Sequence, residues 1–302
     1  MSEGVIVDQH GKQFANVSGG GHSFTAGNRH SRELGKWQPH LRSADYDILP
    51  EKAAIEGRAH DLARNNGFAN GAVQSQKDTV VGHQYRLNLM PEYKLLGISA
   101  EDANDWASEV EACFHLWAED PECWVDASRK RTFTQIIREG VGSEILSGEY
   151  MLSREWRSSP TGFNTCFQVI EPERIRTPYS RHDDDRMRAG VELDRYGAPV
   201  AYHVLNRHPN DHFYSNDQYS FKRVTKYNRF NWLQFIHTFE ATRGGQTRGY
   251  SQLSSIIKKM KMLDRQEDVE LEASILAATY ACLLYTSPSP RDLSTSRMPS
   301  SA

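Results

Sequence analysis

Cysteine is scarce in this sequence. The four present, Cys113, Cys123, Cys166 and Cys282, lack the paired close spacings of a zinc site. No apolar run resembling a signal peptide opens the chain, so these thiols fit a reducing, cytosolic setting. Long hydrophobic runs are missing too. No stretch approaches the roughly 20 apolar residues of a bilayer span, and the chain reads as soluble. An excess of one charge is also absent. Lys and Arg number 36 against 39 Asp and Glu, a formal charge of -3. The whole-chain field therefore carries no strong attraction for phosphate, and any contact with nucleic acid has to be local or weak.

Familiar catalytic signatures are lacking as well. There is no Gly-x-Ser-x-Gly elbow, no cysteine in a nucleophile signature and no dinucleotide glycine motif. The triple glycine before His22 follows no strand and precedes no Lys-Ser or Lys-Thr, which sets a phosphate-cradling loop aside. What remains is a globular but polar composition, 38% hydrophobic, 25% charged and 10% aromatic over 302 residues. That is enough chain to bury a sizeable core in one large or two small domains.

Residues 1–32, rich in Gly, Ser, His and Asn, show no hydrophobic period and predict a flexible arm. After Pro50, which suits a first helical turn, Ile55, Ala59 and Leu62 share one helical face, and Asn65-Asn66-Gly67 stops it. A second helix runs from Phe68 to about Val81, with Ala69, Ala72, Val73 and Val80 toward the core. Gly82 ends it, and "HQYRLNL" alternates as a strand. Ser99 with Asp102, and Thr132 with Gln135, resemble capping boxes. The first opens a helix carrying Ala103, Trp106, Val110, Phe114 and Trp117. The second opens one carrying Phe133, Ile136, Ile137, Val141 and Ile145, punctuated by Gly148.

Strand-like segments follow in "EYMLSREW", "CFQVIEPERI", "GVELDRYGAPVAYHVLN", with a turn around Arg195 to Pro199, and "LQFIHTFEA". Ser251 can then cap the longest helix, with Leu253, Ile256, Ile257, Met260, Leu263, Leu271 and Ile275 in phase to Ala278 and beyond. Helices, then strands, then a helix, without regular alternation, predict an α+β fold. A helical hairpin and amphipathic helices would pack on a mostly antiparallel sheet and end in a long helix.

Candidate chemistry is sparse. "RHDDDR" offers His182 and the carboxylates of Asp183, Asp184 and Asp185, but consecutive side chains diverge, so an exposed acidic turn is the favoured reading. His203, His208 and His212 flank Pro209 in a polar loop without the spacing of a metal site. "RGGQTRGYSQL" is more informative. Its glycines allow a tight backbone and its arginines could meet phosphate or a neighbouring subunit, although a solvated loop capped at Ser251 is the simpler account. Lys258, Lys259, Lys261 and Arg265 precede Asp268, Glu270 and Glu272 along the long helix. This is the reverse of what the helix dipole favours, and it suggests charges placed for neighbours.

Five stretches carry a resemblance: "ARNNGFANGAVQSQKDTVVGHQYRL", "RKRTFTQIIREGVGSEILSGEYML", "EPERIRTP", "ELDRYGAPVAYHV" and "FIHTFEATRGGQTRGYSQLSSIIKKMKMLDRQEDVELEASILAA". In order and spacing, from about His30 to Ala281, the chain resembles lambda-type tailed-phage portal proteins. The resemblance implies a virion component at one capsid vertex, assembled in the bacterial cytoplasm as a ring of twelve copies. Its implied partners are the terminase large subunit, capsid and head-completion proteins, and duplex DNA passing without sequence specificity. It implies no catalytic residues, metal or cofactor.

On that footing residues 33–250 are the portal body and 251–281 a long helix at the start of a stem or channel region. Arg243, Gln246, Arg248, Lys258, Lys259, Lys261 and Arg265 become candidate intersubunit or channel contacts. The rival readings are a metal-dependent nucleic-acid-processing enzyme using His182 and Asp183 to Asp185, and an oligomeric scaffold without DNA passage.

After Ala281 the composition turns to Ser and Pro. "CLLYTSPSPRD" back-translates into a codon series that reads like the transposon adapter of sequencing libraries, so residues 282–302 are expected to be non-native and Cys282 to have no redox role. Amplifying the locus with primers outside this region should return different codons after Ala281. Recovery of the same codons would sink the idea.

Overall fold

A computed structural model describes residues 26, 32–34, 36–211 and 219–286 of the chain. Almost all of the predicted arm and the residues after 286 lie outside the described set. Residues 1–42 form a unit of their own, in which Trp37 N donates to Leu34 O, and the fold proper begins at Ser43.

Six helices and seven strands are described. The first helix, α1 (Ala44–Asn65), starts where the Ser43 hydroxyl accepts from Tyr46 N, with Asp45 and Asp47 favourably placed in its first turn. It therefore opens six residues before Pro50, and the proline predicted for its first turn lies inside it. A proline there removes one helical hydrogen bond, but ion pairs of Asp45 and Asp47 anchor this end from outside the helix. Asn66 closes α1 and opens α2 (Gly67–Val81) by accepting from Ala69 N. The buried face of α2 is Ala69, Val73 and Val81, while Ala72 and Val80, expected inside, are exposed.

The segment expected as a strand after Gly82 is irregular. With no strand alongside, its amides turn to side chains: Tyr85 N donates to Thr134 Oγ1 and Leu89 N to Glu111 Oε1. After the short α3 (Tyr93–Leu96), Ser99 caps α4 (Ala100–Ala118) through Asp102 N. Ala103 and Ala107 are buried but Trp106 is half exposed. This helix holds the body mainly through Phe114 and Trp117, which pack with Phe133 and Phe167. Thr132 and Gln135 form the full capping box of α5 (Phe133–Ser147), and Gly148 ends it in the left-handed conformation, as the spacing predicts.

Two antiparallel sheets follow where one was expected. The first has the order β2-β1-β7, with β1 (Glu149–Trp156) central, β2 (Thr165–Ile170) on one side and β7 (Phe235–Phe239) on the other. The second joins β3 (Met187–Arg188), β4 (Val191–Leu193), β5 (Pro199–Leu205) and β6 (Phe221–Thr225). The predicted turn is there: Asp194 accepts from Tyr196 N and Ala198 N. Strands β3 and β6 were not legible, being two residues long and mostly exposed respectively.

Alternation along β1 builds two cores. Met151 faces a cluster with Ile170, Val191, Tyr202, Val204 and Phe235. Tyr150 and Leu152 face another with Val125 and Ile136, against α4 and α5. A third cluster, Ala59, Val73, Ile145 and Leu253, binds the helical hairpin to α5. Ser251 caps a 3-10 turn (Gln252–Ser255) before α6 (Ile257–Thr286), so the last helix begins after that turn and its backbone continues past Cys282.

At the α5–β1 corner another backbone segment approaches closely. A Cβ at Gly148, where φ is +79, would lie 2.1 Å from the Tyr250 carbonyl group. Gly148→Ala should therefore cost roughly 3 kcal/mol or more, through conformation and collision together. Gly197→Ala has similar φ but open space around it and should cost about 1 kcal/mol. Urea denaturation of the two variants checks the difference, and equal losses would remove the role of close approach.

Candidate functional site

The arginine-glycine loop singled out in the sequence is exposed at Arg243, Gly244 and Gly245 and turns inward from Thr247. Thr247, Arg248 and Ser251 are buried, and the loop backbone is pressed against the α5–β1 corner. Two glycines make the contact possible, since a Cβ at Gly249 would meet the Gly148 carbonyl at 2.0 Å.

Arg248 is 2% exposed and spends all five N–H donors inside the chain. Its Nε and Nη2 fork onto the Glu149 carboxylate at 2.9 and 2.5 Å. Its other N–H groups donate to the carbonyls of Pro172, Ile175 and Ala189. Glu149, 0% exposed, also accepts from Gly249 N and His237 Nε2, each at 3.0 Å, and lies 3.1 Å from Lys52 Nζ. Lys52 donates in turn to the carbonyls of Ser147 and Gly249, so α1 is stitched to both sides of the tight corner. Its ammonium also sits 2.6 Å from Glu56 Oε1, although the angle there leaves that oxygen without a hydrogen bond. A second stitch is Asp45, which accepts from Thr247 N and Oγ1 and from Arg188.

Electrostatics explain how so many polar groups share a buried interior. Burial alone would raise the Glu149 carboxyl, but the charges of Arg248 and Lys52 and the hydrogen bonds from His237 and Arg248 outweigh it and hold the group well below its ordinary value of 4.5. Burial pushes His237 below its ordinary 6.5 against the pull of Glu149, so its imidazole is neutral at pH 7 and serves as a donor. Burial raises Glu56 despite Lys52. Glu149 is thus held ionised beside the guanidinium of Arg248.

The other candidates scatter. Arg243 reaches Asp47 at 2.8 Å on the surface, and Gln246 holds the loop by accepting from Thr242 and donating to Arg248 O. Lys258, Lys259, Lys261 and Arg265 are exposed on α6. Asp183 accepts from Thr177 Oγ1 and Ala189 N, and Asp184 from Arg186 N and Met187 N. The acidic run is an exposed turn whose first two carboxylates are turned onto its own surroundings. His203 bonds Glu192 on the second sheet, His208 lies in a loop, and His212 lies outside the described residues. Among the described residues no three His, Cys, Asp or Glu side chains come close enough to hold a metal ion. A cleft of about 600 Å³ beside the cluster has Glu56, His60, Glu139, Glu173 and His208 in its lining, and His60 Nε2 lies 3.5 Å from Glu173 there.

Sequence reasoning missed Asp45, Lys52, Glu56, Glu149 and His237. Asp45, Lys52, Glu56 and Ala59 follow helical spacing on one face. That period was the available signal, hidden because it is carried by charges.

Comparison with known proteins identifies the family. Residues 30–300 match the model of "Phage portal protein, lambda family". The chain is 36% identical over 285 residues to the portal protein of Escherichia phage N15 and 35% identical over 283 residues to portal protein B of Escherichia phage lambda. Each alignment covers 90% of this chain and 50% of the relative, so the chain spans about half the length of these relatives. Among solved structures it is similar to a chain of the "Neck of native GTA particle computed with C12 symmetry", with a TM-score of 0.39 and 13% identity over 80% of this chain and 46% of that one. The chain belongs to the lambda family of phage portal proteins.

Removing one member of the buried pair leaves the other charge without a counter-ion. Arg248→Met should destabilise by about 3–5 kcal/mol, and Arg248→Lys should recover only part, since an ammonium cannot fork. Stability should also fall with acid. His237, depressed in the fold, withdraws its contribution as pH drops below 6.5. Glu149, also depressed, keeps its full contribution above 4.5 and loses it as pH falls through its lowered native value. Glu56, raised, opposes the trend only in part. Urea midpoints measured from pH 7 to pH 3 check this, and a Glu149→Gln variant with the same pH slope below 4.5 would contradict it.

Proposed function

We propose that this chain is the body of a portal subunit that forms a ring at one capsid vertex and serves there as a structural conduit for DNA packaging and ejection. The observation that carries the reading is the 35–36% identity to two phage portal proteins over nine-tenths of the chain. The docking partners are the terminase and the capsid and head-completion proteins. Twelve copies are proposed, by family resemblance, as the ring number.

The physical character of the body supports a mechanical role. Its buried polar cluster is closed upon itself, with hydrogen bonds directed to its own backbone and ion pairs among its own side chains. A formal charge of -3 suits a channel wall that must let a polyanion slide, since dense cations facing DNA would create salt-dependent wells that arrest it. Exposed candidates for subunit or channel contacts are Arg243, Lys258, Lys259, Lys261 and Arg265.

Negative-stain images of the full-length gene product should show rings with an axial hole wide enough for a duplex. Monomers alone, or closed rings without such a hole, would overturn the conduit reading. Magnesium-dependent cleavage of DNA that disappears in Asp183→Ala would instead promote an enzyme.

A further inference from the structure

The last helix is built unlike the others. It is 30 residues long, about 45 Å at the usual rise, and it lies against α1 along the groove lined by Ile257, Lys258, Lys261, Met262 and Arg265. Beyond that region its described side chains are exposed, including Val269, Leu271, Ile275, Leu276 and Tyr280, each more than half accessible. An apolar surface of this extent on a helix calls for a partner.

Charge along one side of α6 specifies that partner. Where α6 meets α1, a groove of about 630 Å³ has Leu62, Ile257 and Met262 in its lining. Arg58, Lys258, Lys261 and Arg265 supply four cations there, against the single carboxylate of Asp61. Continuing along the same side at helical spacing from Arg265 come Asp268, Val269, Glu272 and Leu276, all exposed. The stripe thus begins basic over an apolar floor and ends acidic with apolar side chains between the charges. A straight helix cannot fold its second half back onto its first. The acidic half of this stripe can meet the basic groove only on another molecule.

We propose that α6 is the self-association element of this chain: the acidic, apolar half of one copy lies in the basic groove between α1 and α6 of a second copy. The contact uses opposite charges at its rim for register and apolar side chains at its centre for affinity. It rests on the reading of the chain as a ring-forming subunit and supplies that reading with its surfaces. It also accounts for the reversed charge order of α6, which weakens an isolated helix through the dipole but makes the two halves complementary between copies.

The test is a pair of charge-reversed forms of the full-length gene product. One carries Lys258→Glu, Lys261→Glu and Arg265→Glu, the other Asp268→Lys and Glu272→Lys. The first form places acidic residues nearer the helix N-terminus, so it should not lose helix by circular dichroism. Each form alone should self-associate at least about tenfold more weakly than the unmodified protein by sedimentation velocity, and mixing the two should restore association because every contact becomes complementary again. Unmodified association should weaken as salt rises.

Forms that assemble singly like the unmodified protein would overturn the α6 contact while leaving the ring intact. So would reversed forms that assemble normally but lose retention of duplex DNA, which would make the groove a nucleic-acid contact. Restoration on mixing into an open or two-subunit species would uphold the contact and overturn the ring. No association of the unmodified protein would overturn both.

Discussion

The body is organised around a charge pair removed from water. Arg248 and Glu149 are 2% and 0% exposed, and desolvating each ion costs several kcal/mol before any attraction is counted. That cost is offset because neither group has an idle atom: the guanidinium saturates two carboxylate contacts and three carbonyls, and the carboxylate collects His237, Gly249 and Lys52. Such a pair contributes modest net stability and large specificity. A register shift of β1 by one residue would turn Glu149 to the other face of its sheet and leave both charges unmatched.

Through this pair one side chain ties together separate stretches of backbone. The carbonyls of Pro172, Ile175 and Ala189 lie outside the two sheets' named strands, and backbone groups there must find partners once they are covered. A single guanidinium serves all three. Lys52 does the same for Ser147 and Gly249 at the corner where two glycines let the backbones touch. The packing of α1 on the sheet corner is therefore polar and directional, whereas its packing on α2 and α5, through Ala59, Val73 and Ile145, is apolar.

The sequence disclosed the parts whose signals are local. Caps at Ser99 and Thr132, the stop at Gly148 and the full length of β1 follow from side chains within a few residues of the feature. Hydrophobic period failed where burial is carried by charge, as for Lys52 and Glu56, or where burial is withheld, as for Val80 and Trp106. The arginine-glycine loop shows the limit of local reasoning. Its arginine looks like a surface contact until a glutamate ninety-nine residues earlier is placed opposite it. The family, by contrast, was legible from the order of five motifs, because order along the chain needs no knowledge of which residues meet.

Asn66 is the last residue of one helical hydrogen-bond ladder and the cap of the next, so α1 and α2 are joined with no slack. Its amide nitrogen also reaches Asp264 on α6. One extra residue at this junction would rotate α2 by about 100° about its axis and carry Val73 out of the core. A deletion would draw the cap away from α6. The joint therefore works as a fixed mitre, in which the angle cut between two helices also sets the direction in which the third leaves the body.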